Sequence, residues 1–369
     1  MDVPVSFVRA RHDADSRYGW ARYPEAIERV PYGRFRNVYL YITEECQLRC
    51  KHCYMGERLD RALVMPRDRV LDQLVYWRKM GGDKITILGG EATMHPDFEE
   101  IVAFTNSLGY SKVILTTNGL RSSLRKLERI SPRDLAYVQV SLDGARPESH
   151  DSIRGKGTFR IAQEVTRRLC ALGFDTRIIC TVNKANIDDC LELLPFADEA
   201  GVSLVKYHVF SGIGTGKKND DLLIAPLEWI DFYEKRLRPE EGKWKTRIWY
   251  QPTYARRSAM GEFERQGYRG CIGRTLDRIS VFPDGRAYVC SYLFDTNLNF
   301  GTMVDGHMKL NPGENEYDLF SRVMTHSSCK SCKASACCGG CPAESLVMGG
   351  ASCSVDDVVP VCRLWKADH

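Results

Sequence analysis

The sequence predicts an α/β chain: a partial (β/α)6 barrel of the TIM type, followed by a small cysteine-rich domain. Three observations carry this expectation. Six apolar, β-branched runs alternate with amphipathic stretches between residues 37 and 210. Three of the fifteen cysteines crowd between residues 46 and 53, and nine more follow residue 270. From Cys271 onward cysteine is strongly enriched and glycine slightly so, as expected of a small domain stapled by metals.

The strands are expected at 37–43, 84–89, 112–117, 136–142, 176–182 and 203–210, with helices at 66–80, 96–108, 122–130, 158–172 and 187–200. Four of those helices run into Gly81, Gly109, Gly173 and Gly201, the residue that closes a helix most readily. Strands joined by helical crossovers make a parallel sheet, curled into part of a barrel; a flat doubly wound sheet is the alternative. A short helix over 226–237 is placed to cap the barrel, and 244–254 reads as a bridging strand or loop. The resulting division is a basic arm (1–36), the barrel (37–216), a bridging segment (217–270) and the cysteine-rich region (271–369).

Composition narrows the function. Hydrophobic residues at 43% and charged residues at 27% suit a globular enzyme, and 52 basic against 48 acidic side chains give no case for a nucleic-acid partner. The arm is locally basic, with Arg9, Arg11, Arg17, Arg22, Arg29, Arg34 and Arg36, either as a solvated face or as a docking surface for an acidic peptide. No apolar run reaches the roughly 18 residues of a membrane span, and the N-terminus has no signal-peptide pattern. The chain is therefore expected in the cytoplasm. A reducing compartment does not maintain a disulfide framework, so clustered cysteines point to metal. Cys170, Cys180 and Cys190 stand apart and read as buried small hydrophobes.

Barrel chemistry sits at the carboxyl ends of the strands. Cys46 follows the first; Gly89-Gly90-Glu91, Thr117-Asn118-Gly119, Ser141-Leu142-Asp143-Gly144 and His208 end later ones. Cys46, Cys50 and Cys53 form a CxxxCxxC loop. Three thiolates hold three corners of a cubane iron–sulfur cluster and leave the fourth iron open. A structural zinc needs four ligands, and His52 is poorly placed beside Cys53 to be the fourth.

The stretch from Tyr41 to Tyr54, with these three cysteines, resembles the signature of the radical S-adenosylmethionine (radical SAM) enzymes. That resemblance implies a [4Fe-4S] cluster whose open iron binds S-adenosylmethionine, reductive cleavage of the sulfonium, and a 5′-deoxyadenosyl radical that takes hydrogen from substrate. It also implies roles for further residues. Gly89, Gly90 and Glu91 resemble the segment that receives the methionine ammonium, and Asn118, Ser141 and Asp143 fall where the family contacts the ribose and the methionine end. Arg154 resembles the partner of the methionine carboxylate. Tyr54 either stacks near the adenine or packs under the cluster loop.

Cys271, Gly285 followed by Cys290, then Cys329, Cys332, Cys337, Cys341 and Cys362 resemble the SPASM extension, which holds auxiliary iron–sulfur clusters. The spacing departs from the family in the middle, where Cys337 and Cys338 offer alternative registers. By the resemblance one cluster uses Cys271, Cys290 and Cys341, and the other Cys329, Cys332, Cys337 and Cys362. The first set is completed by Cys338, by Cys353, by another ligand, or by an open iron; paired zinc sites are the alternative. Auxiliary clusters imply net oxidation, because they accept the electron released after hydrogen abstraction.

By the same resemblance the substrate is expected to be a ribosomally made peptide that is crosslinked, oxidised or changed in its backbone, with flavodoxin or ferredoxin as electron donor. Only 36 residues precede the first strand, which leaves leader recognition to a separate protein or to the arm. The alternative is a dehydrogenase, decarboxylase or epimerase of a sugar or other small metabolite, and a third reading is an electron carrier. Gln139, Tyr207, His208, Tyr250, Tyr254 and Arg256 are candidates to face the substrate. Asp295 and Glu344 are candidate proton acceptors, because Ser291-Tyr292 stands where some family members carry an acid.

Overall fold

The computed structural model describes residues 6–9, 20–22, 26–29, 35–265, 268–271, 276–313, 315, 358–360 and 364–366. Six parallel strands form its centre: β1 (Asn37–Thr43), β2 (Lys84–Gly89), β3 (Lys112–Thr117), β4 (Tyr137–Ser141), β5 (Thr176–Val182) and β6 (Leu204–Val209). Each pairs with the next in register order. Helices α1 (Arg67–Lys79), α2 (Phe98–Ser107), α3 (Arg121–Leu127), α4 (Pro147–Arg154), α5 (Thr158–Ala171) and α6 (Leu193–Ala200) lie between them.

Alternation along each strand separates the two faces. Val38, Leu40, Ile42, Ile85 and Ile87 point outward and are fully buried against Val70, Leu71, Leu74 and Trp77 of α1, a set spaced for one helix face. The intervening residues, including Tyr39, Thr86, Gln139 and Lys206, line the lumen.

Two short strands flank the expected six. Arg247–Tyr250 (β7) pairs in parallel with β6, and Arg278–Val281 (β8) pairs in parallel with β1. Beyond β8, an antiparallel meander of β9 (Arg286–Tyr288), β10 (Gly301–Val304) and β11 (His307–Leu310) completes an eleven-stranded sheet. Asp305 and Gly306, both at positive φ, turn β10 into β11. The sheet that carries the first cysteine loop thus continues to residue 310.

Three local expectations are revised. The helix expected over 187–200 becomes α-helical only at Leu193, after a 3-10 turn at Cys190–Glu192. Asn183 and Asn186 explain the delay: their side-chain oxygens accept from the backbone of Ala185 and Asn183, which competes with helix formation. The helix expected over 122–130 stops at Leu127. α4 was absent from the sequence reading; it starts with Pro147 in its first turn.

Part of the arm packs on the barrel rather than lying wholly in solvent. Ser6–Arg9 pairs antiparallel with Ala26–Arg29, Ile27 is buried in the core, and the buried Trp20 donates from Nε1 to Glu100 at 3.0 Å. Among the described residues no helix is long and apolar enough to cross a membrane.

Leu40 sits fully buried between β1's outer face and α1. Leu40→Ala is expected to cost about 2–5 kcal/mol of stability, read as a lowered denaturant midpoint; an unchanged midpoint would contradict this assignment of the core.

Candidate metal and cofactor site

The chain leaves β1 at Thr43 and enters the cysteine loop directly. Its path is fixed by the end of β2. Gly90 N–H donates to the Thr43 carbonyl at 2.9 Å, and Glu91 N–H donates to the Glu45 carbonyl at 2.7 Å. No side chain fits at this crossing: a Cβ on Gly90 would lie 2.4 Å from the Glu45 carbonyl oxygen, and one on Gly89 would lie 2.7 Å from that of Thr43. The pair of glycines is therefore a demand of the loop's approach.

From the other side the loop is latched by charge. Buried Glu44 pairs with Arg58 at 3.2 Å and with Arg61, and both arginines reach Asp284 at 3.0 Å. Asp284 lies between β8 and β9, so the segment after residue 270 helps hold the first cysteines. The Arg58 guanidinium also stacks 4.1 Å from the Phe282 ring centroid.

Glu91 is buried and its carboxylate is satisfied within the protein. It accepts from Asn118 N–H at 2.7 Å, from the Thr93 hydroxyl at 2.7 Å and from the Thr117 hydroxyl at 3.0 Å. Burial raises its carboxyl and these hydrogen bonds oppose the rise. Glu91 thus ties β2 to Asn118 at the end of β3. The Asn118 amide in turn donates to Gln47 at 3.2 Å and approaches Cys46 Sγ at 3.9 Å.

Asp143 is a second hub. One oxygen accepts from Arg154 Nε and, at 2.6 Å, from His52 Nε2; the other accepts from Thr181 N–H at 2.7 Å. Burial alone would raise this carboxyl, but Arg154 and then His52 outweigh it and hold the group well below the usual carboxylate range. Asp143 N–H donates to His150 Nδ1 at 3.0 Å, and Arg154 reaches to 4.0 Å from Cys50 Sγ. Ser141 is buried at the end of β4, with no hydrogen bond to its hydroxyl among the described residues.

Burial pushes the Cys46 thiol up to about 11 and the Cys53 thiol up to about 12; it raises Cys50 as well, where Arg154 opposes it. As bare thiols all three would be neutral near pH 7. Holding them as thiolates requires strong positive charge at the loop, which the iron of a cluster supplies. The chemistry of the three cysteine donors fits a cluster, and Asn118 and Arg154 approach two of the sulfurs, Cys46 at 3.9 Å and Cys50 at 4.0 Å.

Tyr54 lies in an aromatic group beneath the loop, where its hydroxyl accepts from Tyr41 at 3.1 Å and its ring meets Phe294. Cys290 is buried in the same group, against which Cys46 and Cys53 pack. Cys271 pairs across a short antiparallel ladder with Leu364, two positions past Cys362. Cys329, Cys332, Cys337, Cys338, Cys341, Glu344, Cys353 and Cys362 lie outside the described residues.

Of the candidates to face substrate, Gln139 and His208 point into the lumen; Gln139 donates to Thr116 at 2.9 Å and His208 lies 5.6 Å from the Trp249 ring. The remaining four are corrected. Tyr207 alternates with His208 and so points outward, donating to the Cys190 carbonyl at 3.2 Å. Tyr250 accepts from Arg238, Tyr254 packs on the outer core, and Arg256 pairs with Asp231 at 3.1 Å. Asp295 is exposed, accepting from Gly214 N–H and Lys217, and does not enter the cavity. The sequence reading missed the partners His52, Thr93, Thr117 and Gln47, since nothing in their spacing marks a contact.

Two substitutions test this geometry. Gly90→Ala is expected to cost about 1–3 kcal/mol through overpacking and to weaken S-adenosylmethionine binding; unchanged binding with an unchanged melting temperature would contradict the clamp. Asp143→Asn leaves Arg154 buried beside the loop without its counter-charge, at a cost of about 3–5 kcal/mol. Because the folded carboxyl is held low, wild type keeps this contribution above about pH 4 and loses it as pH falls further. The melting-temperature gap between wild type and variant should therefore shrink in acid; a gap that widens would exclude the pairing.

Residues 40–197 match the radical SAM superfamily. Over 187 residues the chain is 32% identical to the mycofactocin maturase MftC of Mycobacterium ulcerans, covering 49% of this chain and 50% of that protein. It is 25% identical to the AdoMet-dependent heme synthase of Methanosarcina barkeri over 84% of this chain and 91% of that protein. Among solved structures, SuiB of Streptococcus suis bound to S-adenosylmethionine shares the fold, with a TM-score of 0.67 at 16% identity, over 87% of this chain and 75% of that one. The loop of Cys46, Cys50 and Cys53 and the glycine clamp both lie within residues 40–197, the span that matches the radical SAM superfamily.

Proposed function

We propose that this chain is a radical SAM enzyme that oxidatively modifies a ribosomally made peptide. The observation that carries the reading is the cysteine loop clamped by Gly89 and Gly90 at the mouth of an open parallel barrel. When bound, the cluster and S-adenosylmethionine supply a 5′-deoxyadenosyl radical able to take a hydrogen atom from substrate. The chain's own residues position and shield. Arg154, oriented by Asp143, presents a guanidinium to the methionine carboxylate; Ser141 and Asn118 offer hydrogen bonds at the rim; Glu91 fixes Asn118.

The peptide is favoured by the likeness to a maturase, and by the fold shared with SuiB, a structure of which is bound to the precursor peptide SuiA. Auxiliary iron–sulfur clusters are proposed on Cys271, Cys290, Cys329, Cys332, Cys337, Cys341 and Cys362, to accept the electron left by hydrogen abstraction. Flavodoxin or ferredoxin would reduce the first cluster, and a separate protein would recognise the leader. The likeness to a heme synthase over nine-tenths of that protein favours a second reading, a small-metabolite dehydrogenase, decarboxylase or epimerase.

The anaerobically reconstituted and reduced protein is expected to release 5′-deoxyadenosine from S-adenosylmethionine, and Cys50→Ala to release none. Absence of release from wild type with intact clusters would refute the proposal. A mass change in a peptide encoded beside this gene supports the peptide reading; a change confined to small metabolites supports the second.

A further inference from the structure

The barrel lumen carries more positive charge than the cofactor site uses. Lys206 lies in the middle of β6, with Val205 and Tyr207 packed in the outer core on either side, so its side chain enters the lumen. Its Nζ sits 4.5 Å from the centroid of Trp249. No acidic side chain pairs with it among the described residues. Arg278, from β8, enters the same space over Tyr39 at 5.2 Å; it donates from Nη2 to the Val289 carbonyl at 3.0 Å, while its buried Nε has no acceptor. Arg177 lies behind them, 3.6 Å over Tyr137 and paired with Asp175 at 2.8 Å.

Lys206, Arg278 and Arg177 thus act on one another in the lumen, where Lys206 is partly buried and the carboxylate of Asp175 is already taken by Arg177. Burial, and then repulsion from Arg278 and Arg177, push the Lys206 ammonium down to about 8. Aromatic faces offset only part of the cost of enclosing unpaired charge. Such an arrangement binds an anion at little reorganisation cost, because the donors are already in place. Register gives the height of the pocket. Lys206 pairs through Ile179 with Ser141 at the end of β4, whereas Arg278 pairs with Asn37 at the start of β1, so the two cations approach each other below the strand ends.

We propose that Lys206 and Arg278, backed by Arg177, form an anion pocket in the barrel lumen that takes a carboxylate of the substrate, and so sets which part of it lies below the cofactor. The proposal rests on the reading of this chain as a radical SAM enzyme. A carboxylate suits the pocket because it brings a negative charge and acceptor oxygens to a site that holds an ammonium and a guanidinium Nε without an acceptor. It has two possible sources, the C-terminus of a peptide or an Asp or Glu side chain.

The test is anaerobic amidination of the reconstituted protein with methyl acetimidate, with Lys206 and the exposed Lys218 followed by peptide mass spectrometry. The probes are N-acetyltyrosine, N-acetyltyrosinamide and N-acetylglutamic acid α-amide, each titrated with S-adenosylmethionine present and absent. A carboxylate probe at about ten times its Kd is expected to slow Lys206 labelling about tenfold, with no effect on Lys218, and Arg278→Gln to remove the protection. Protection by N-acetyltyrosine assigns the C-terminal source, and protection by the glutamic acid derivative the side-chain source. Equal labelling with acid and amide overturns the proposal. So does protection by S-adenosylmethionine alone that neither acid adds to, since the charges would then serve the cofactor. Release of 5′-deoxyadenosine is measured on the same sample: release without protection removes the anion pocket alone, and protection without release removes the radical reading alone.

Discussion

The structure depends on one close approach of backbone to backbone. The strand end at Gly89-Gly90-Glu91 crosses the start of the cysteine loop so tightly that no Cβ is tolerated, and two N–H···O bonds hold the crossing. Because those bonds join β2 to the exit of β1, the position of the cysteines is inherited from the sheet and not from the loop itself. A long loop of this kind would otherwise sample many shapes, and each ordered residue costs about 1–2 kcal/mol of backbone entropy. The clamp, with the Glu44–Arg58–Asp284 latch opposite, removes that freedom before any metal arrives.

The carboxylates of the rim work mainly on the protein. Glu91 and Asp143 are both buried, and each has its oxygens satisfied by neighbouring donors. Glu91 orients Asn118, and Asp143 orients Arg154 and His52. A hydroxyl (Ser141), an amide (Asn118) and a guanidinium (Arg154) stand near the same strand ends, all of them largely buried. Preorganised donors of this kind need not reorient when the ligand binds.

Much of this was legible in the sequence, for identifiable reasons. Lys84–Gly89 is buried along most of its length and Thr176–Val182 alternates buried with half-buried positions, so the first declares itself as a strand by its apolar run and the second by its β-branched residues and period of two. The CxxxCxxC spacing and the glycine pair are local patterns. What was not legible is long-range. β7 and β8 are four residues each, with arginine in both, and gain their stability from neighbours already in place. His52 and Asp143 are 91 positions apart, and Asp284 meets Arg58 across 226. The face chosen by Tyr207 or His208 depends on strand register, which a one-residue shift reverses. The asparagines at 183 and 186 cut short a helix that apolar periodicity alone had favoured.

The central claim is that Cys46, Cys50 and Cys53 hold an iron–sulfur cluster whose remaining iron takes S-adenosylmethionine. Electron paramagnetic resonance of the reduced, reconstituted protein with and without S-adenosylmethionine tests it most directly. The account predicts a reduced-cluster signal that shifts when S-adenosylmethionine is added, and that this responsive component is missing in Cys50→Ala. A spectrum indifferent to S-adenosylmethionine, or zinc in place of iron at the loop, would contradict it.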